Sequence, residues 1–175
     1  MVDEAYYEYA VNPDFPRCVE YLRAGQENLI VLRSFSKVYG LAGLRVGYML
    51  ADEKVIDYME HARLPFNVNQ LAQVAALAAL DDEEHVRRSV EANEAAKEFF
   101  YRELAALGLR YVPTHTNFVL IHVGRPGKQI SKLLLERGFI TTPTDGWGVP
   151  NHVRVSFGTP EENEAFIAAL GEVIG

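Results

Sequence analysis

An apolar run, Leu29-Ile30-Val31-Leu32, leads into Ser34-Phe35-Ser36-Lys37 and, past Gly40 and Gly43, meets a second run, Val46 to Leu50. No other stretch constrains the fold as much. A short run with no polar alternation reads as a buried strand of a parallel sheet. A lysine between two such strands is open to desolvation, which lowers its pKa and frees the neutral amine. A neutral amine is what Schiff-base chemistry needs. Ser34, Ser36 and Arg45 offer donors for one phosphate, the guanidinium as a two-pronged donor and the hydroxyls as supplements. Gly40, Gly43 and Gly47 let the backbone approach closely or take positive φ. Against this stands the common case: most lysines are solvated surface charges, and a lone lysine beside serines says little.

The whole run SFSKVYGLAGLRVGY, Ser34 to Tyr48, resembles the cofactor-lysine segment of fold-type I pyridoxal 5′-phosphate (PLP) aminotransferases, in particular the histidinol-phosphate aminotransferase branch. The resemblance implies that Lys37 carries the cofactor as a Schiff base. It also implies that Arg45 holds the cofactor phosphate, helped by Ser36 and Ser34. The opening Val2-Asp3-Glu4-Ala5-Tyr6 reads as the end of a buried strand entering a loop. In the resembling family the aspartate of this motif pairs with the pyridinium nitrogen and the tyrosine with O3′, which gives those roles to Asp3 and Tyr6. A carboxylate at the ring nitrogen keeps it protonated and strengthens the electron sink. On pattern alone, Asp3 is equally a loop cap and Tyr6 an ordinary aromatic.

Farther on, Val153-Arg154-Val155-Ser156-Phe157-Gly158-Thr159-Pro160 resembles the family's substrate-carboxylate motif, which makes Arg154 the carboxylate fork. Strand alternation turns Arg154 away from the face shared by Val153 and Val155, toward solvent or a cleft. One position departs from the resemblance. The family commonly carries a second arginine that helps hold the substrate phosphate, and Thr142 aligns there. A hydroxyl does not replace a charged two-pronged donor. Lys132 and Arg125 are the nearby cations able to compensate, and a neutral or aromatic amino acid becomes the competing substrate class.

The chain of 175 residues allows one ordinary domain or one plus a small lobe. The expected class is α/β: part of a PLP-transferase-like large domain with a mostly parallel sheet, then a small α+β C-terminal lobe. The boundary is expected near 85/86, with a long linking helix from about 82 to 107. Arg17 to Ala24 reads as a short helix stopped by Gly25, and Asp52 to Ala62 as a helix capped by Asp52. Gln70 to Leu80 is apolar almost all round, which predicts deep burial or a subunit interface. The lobe should alternate strands (Tyr111-Val112, Asn117–Val123, Phe139–Thr142, His152–Phe157) with helices over Gly127–Arg137 and Pro160–Ile174. Thr159 as N-cap, with Pro160 and Glu162, marks the start of the last helix.

Hydrophobic residues at 49% and charged residues at 23% are globular values, so disorder is not expected. A net charge of -7 without a basic stripe argues against nucleic acid. One cysteine, Cys18, excludes an intrachain disulfide framework. No apolar run reaches membrane-spanning length and no signal peptide is recognised, so cytoplasm is the expected location. His61, His85, His115, His122 and His152 are scattered without metal-ligand spacing, and no dinucleotide fingerprint follows a strand. Ser34-Phe35-Ser36-Lys37 also fits the S-x-x-K pair of penicillin-binding serine enzymes, but the SDN and KTG companions are missing.

The resemblance covers essentially the whole chain yet matches the C-terminal half of a family member. The implied function is transamination of histidinol phosphate and 2-oxo acids, with amino acids of the aromatic or neutral class as the alternative. The chain is expected to be a fragment that binds PLP weakly or not at all alone and works as a homodimer or with a complementing N-terminal half. The rival reading is a catalytically dead folding or dimerisation unit.

Overall fold

In a computed structural model describing residues 1–175, the opening dipeptide and the first apolar run lie side by side. β1 (Val2–Asp3) pairs in parallel with β2 (Ile30–Ser34), Val2 opposite Val31 and Asp3 opposite Leu32. β3 (Gly47–Ala51) runs antiparallel to β2, from Ile30 opposite Ala51 to Ser34 opposite Gly47. The sheet order is β1-β2-β3. The apolar runs predict parallel pairing for both, and the β2–β3 pair differs because of its connection. Phe35 to Val46 contains only a 3-10 turn, Ala42–Leu44, and no helix to carry a crossover, so the chain returns antiparallel. Gly47 lets this return pass close: a Cβ there would stand 2.7 Å from the Arg33 carbonyl oxygen.

Around this sheet the chain forms α1 (Cys18–Arg23), α2 (Glu53–Ala62) and α3 (Gln70–Leu80). Asp52 caps α2, its carboxylate accepting the Lys54 N–H at 3.0 Å. Asn69 caps α3 by accepting the Ala72 N–H at 2.8 Å. In α3 only Ala72 and Ala76 are buried, while Leu71 is 75% and Leu77 67% exposed. The apolar surround predicted deep burial or an interface; burial within this unit is not what the helix does. Its alanine stripe packs close, and its larger side chains project outward.

The chain divides into two compact units, Met1–Val90 and Glu91–Gly175, and α4 (Glu83–Ala106) carries it across that boundary. The second unit holds β4 (Arg110–Val112), β5 (Phe118–His122), α5 (Gly127–Leu135), β6 (Thr142–Pro143), β7 (His152–Ser156) and α6 (Pro160–Ile174). Its sheet is antiparallel throughout, in the order β4-β5-β7-β6. Val119 and Ile121 of β5 and Val153 and Val155 of β7 alternate onto one face. There they meet Phe100, Leu104, Ile130, Leu134, Phe166 and Leu170 from the helices. Each such side chain stabilises the unit by about 1.5–3 kcal/mol.

Thr159 and Glu162 form a full capping box at the start of α6. β6 is shorter than the strand expected over Phe139–Thr142. Phe139 N–H still bonds Leu134 at the end of α5, Ile140 is 90% exposed, and Pro143 has no N–H to extend the ladder. No helix is long and apolar enough to cross a membrane.

Candidate active site

Asp3 and Ser34 stand at the C-terminal ends of two adjacent parallel strands. In open α/β sheets ligands bind in the crevice outside the carboxyl ends of the strands. The Ser34 hydroxyl accepts the Ser36 N–H at 3.0 Å and so fixes the turn that leads to Lys37. Lys37 is half-buried, and its Nζ lies 5.0 Å from the centroid of the Tyr6 ring. The desolvation that two flanking apolar strands make possible is partial in this unit, where Lys37 keeps some of its surface exposed. The buried neighbours Phe35 and Val38 anchor the turn on either side of Lys37. His85 reinforces it, with Nε2 2.9 Å from the Val38 carbonyl oxygen.

Asp3 is exposed, and its Oδ1 accepts the Ala5 N–H at 2.9 Å. Arg45 is exposed and left-handed at φ 54°, and its Nη1 donates to the Ala42 carbonyl at 2.7 Å. Asp3, Tyr6, Ser34, Ser36, Lys37 and Arg45 all belong to the first unit; Arg154 belongs to the second.

Beneath these groups lies a buried polar cluster that motif reading passes over. Glu4 follows Asp3, and its side chain is 1% exposed. Arg33 Nε and Nη2 each stand 3.0 Å from Glu4 Oε2, while Oε1 is buried with no hydrogen-bond partner. Burial pulls the Arg33 pKa down, and hydrogen bonds and charge from Tyr48 and Glu4 outweigh it, for a net rise. Burial, followed by the nearby Glu4 carboxylate, pushes the Cys18 thiol up, so it stays a protonated packing group. Burial also raises Glu8, against opposing contributions that include Arg33 and a hydrogen bond to Tyr39. Tyr39 is pushed up to about 12, first by burial and then by Glu8. A signal for the cluster was present: Arg33 is in phase with the core residue Val31 on β2, and a core-facing arginine requires a buried counter-charge.

In the second unit Arg154 is half-buried on β7, between Leu120 of β5 and Thr142 of β6 in register. Its guanidinium carbon lies 4.2 Å from the Phe118 ring centroid. Of the two outcomes that alternation allowed, solvent or cleft, the arginine takes the cleft. It lines a recess of about 490 Å³ with Phe139, Thr142, Ser156 and Glu162. Stacking on a ring face leaves the guanidinium edge free to fork onto a carboxylate or phosphate. Arg125 is committed elsewhere, donating to the Val173 carbonyl. No group of three or more histidine, cysteine, aspartate or glutamate side chains is placed to hold a metal ion.

The aminotransferase class I and II family profile matches residues 1–170. The chain is 46% identical over 174 residues to a histidinol-phosphate aminotransferase of Moorella thermoacetica, covering 99% of this chain and 45% of the relative. It is 49% identical to the enzyme of that name from Akkermansia muciniphila, covering 99% and 47%. Among solved structures it matches a putative histidinol-phosphate aminotransferase from Erwinia carotovora atroseptica at TM-score 0.90 and 31% identity, covering 98% of this chain and 49% of that one. It matches the histidinol-phosphate aminotransferase from Sinorhizobium meliloti, solved in complex with pyridoxal-5′-phosphate, at TM-score 0.81 and 30% identity, covering 98% and 47%. The chain thus spans about half the length of the curated relatives it matches. With lysine, aspartate and arginine positions set on an α/β scaffold shared with these enzymes, the chain belongs to the class I and II aminotransferase family.

Proposed function

We propose that this chain carries the lysine-bearing share of a PLP-dependent aminotransferase site of the histidinol-phosphate type. One observation carries the reading. The Lys37 amine lies 5.0 Å over the Tyr6 ring, in the loop following β2, and β2 is paired in parallel with the strand that ends in Asp3. The donor set suits PLP: an amine for the aldehyde, a carboxylate for a pyridinium nitrogen, and Ser34, Ser36 and Arg45 for a phosphate. Gly47 and the left-handed Arg45 let the phosphate-binding segment turn back tightly after Lys37.

When bound, the cofactor supplies an electron-withdrawing ring that makes the substrate Cα–H acidic. Lys37, freed of the cofactor aldehyde, would take the substrate Cα proton as general base and then give a proton back as general acid. Asp3 would hold a positive charge at the ring nitrogen, and Tyr6 would donate to the ring oxygen. Arg45 and the serine hydroxyls would orient the phosphate. Arg154 forks onto the anionic group of the substrate. Histidinol phosphate is the donor that the named relatives support. A second reading, an aromatic or neutral amino acid, is favoured by Thr142. It stands directly across from Arg154, where the resembling family commonly carries a second arginine.

The exposed Leu71, Val74, Leu77 and Leu80 on α3 support association with a second subunit or a complementing half. The 175-residue chain alone should bind PLP weakly and not turn over.

The test is reduction with borohydride in the presence of PLP, followed by peptide mapping. Label on Lys37 is expected; a covalent adduct concentrated on any other lysine overturns the assignment. Turnover of histidinol phosphate should require addition of a family N-terminal half, and turnover by this chain alone would overturn the division of the site.

A further inference from the structure

Arg33 sits four residues before Lys37, on the core-facing side of β2, and its side chain is only 15% exposed. Besides a hydrogen bond to Tyr48 of β3, it makes two contacts with the loop after β1. On one side, Nε and Nη2 hold Glu4 Oε2 at 3.0 Å. On the other, the guanidinium carbon lies 3.8 Å from the Tyr7 ring centroid. Glu4 and Tyr7 flank Ala5 and Tyr6, and Tyr6 is the ring beneath the Lys37 amine. A single side chain therefore holds the side chains of residues on both sides of Tyr6, from the strand that delivers Lys37.

Backbone bonds complete the bracket. Glu4 N–H donates to the Leu32 carbonyl at 2.8 Å, and Tyr7 N–H to the Glu4 carbonyl at 3.0 Å. The arrangement is poor as a source of net stability. Burying a carboxylate costs solvation, and Glu4 Oε1 gains no partner in return. A buried ion pair of this kind is better at selecting one arrangement than at stabilising the fold.

We infer that Arg33 is a positioning residue: by clamping Glu4 and Tyr7 it presents Asp3 and Tyr6 to the group held by Lys37. What is presented rests on the PLP reading above; the clamp itself belongs to the cofactor-free chain.

The experiment uses the 175-residue chain and four variants: Arg33→Lys, the double substitution Glu4→Gln/Arg33→Met, Asp3→Asn alone, and Asp3→Asn in the double background. Amide hydrogen exchange is followed first, without cofactor. In Arg33→Lys and in the double variant, exchange at Glu4, Ala5 and Tyr7 should rise by at least about tenfold, while the β2–β3 ladder amides keep their protection. Lys does not substitute, because it lacks both the fork and the stacking plane. If the double variant fails to fold, Arg33→Lys decides alone.

Borohydride-trapped PLP on Lys37 is then quantified. Asp3→Asn should lower the yield in the parent chain and add nothing in the double variant, since Asp3 is already misplaced there. Unchanged exchange over Glu4 to Tyr7 in a folded variant, or a fully additive Asp3→Asn effect, overturns the clamp. Failure of the parent chain to label Lys37 refutes the PLP reading instead, and the exchange data still decide the clamp.

Discussion

Replacing Gly47 by alanine tests whether the return of β3 past β2 is as close as the register requires. The added Cβ would stand 2.7 Å from the Arg33 carbonyl oxygen, where ordinary contact begins at 3.4 Å. The neighbour is backbone in a paired strand, so it does not swing aside; the strands must separate by several tenths of an ångström. Overpacking of this sort costs about 1–3 kcal/mol. Against it, alanine reduces the freedom of the unfolded chain, a gain of about 0.4–1 kcal/mol. For a chain of this size each kcal/mol moves the melting temperature by about 2–4 °C. The net expectation is a loss of a few degrees in the first unit, followed by circular dichroism.

Gly43→Ala is the matched control in the same segment: nothing lies within 4 Å of its Cβ. It should melt at or slightly above the parent. Trapping of PLP on Lys37 should fall in Gly47→Ala alone, because Gly47 is opposite Ser34, the residue that shapes the lysine turn. If Gly47→Ala melts as high as Gly43→Ala, the close approach and the argument built on it are wrong.

Glu8 offers a test by pH. Its pKa is raised from 4.5, by burial first, so the folded state holds the proton more tightly than the unfolded chain. Its contribution is complete below the unfolded value and is lost as pH rises through the folded one. Glu8→Gln should therefore gain stability relative to the parent between pH 4 and pH 8 in urea titrations, and a relative loss over that range refutes the assignment. Thr142→Arg should tilt the holoenzyme, complemented by an N-terminal half, toward phosphate-bearing donors. A drop in KM of roughly tenfold for histidinol phosphate against an aromatic amino acid is the expected size for one added charge-assisted pair. No change in that ratio means that Thr142 does not face the substrate.

Local signals carried much of the molecule. The N-cap Thr159 with Pro160 and Glu162 marks the start of α6 because capping bonds span only three residues. The apolar block from Gln70 to Leu80 corresponds to α3 for the same kind of reason: a helix repeats every few residues, and its caps lie beside it in the chain. The lysine segment, Ser34 to Tyr48, was legible as chemistry because its donors are near neighbours in sequence. So was the alternation that sends Arg154 away from Val153 and Val155.

Tertiary structure alone decided the rest. Whether β3 returned parallel or antiparallel depended on how a short connection closed, and an apolar run does not encode direction. Whether the large side chains of α3 faced inward depended on which stripe the first unit packed against, and it buried the alanines. The Glu4–Arg33–Tyr7 clamp joins residues up to 29 positions apart. The phase of Arg33 with Val31 on a strand shows that a core-facing arginine needs a counter-charge. Only the register of two paired strands determines which carboxylate meets it, and therefore which loop it holds in place.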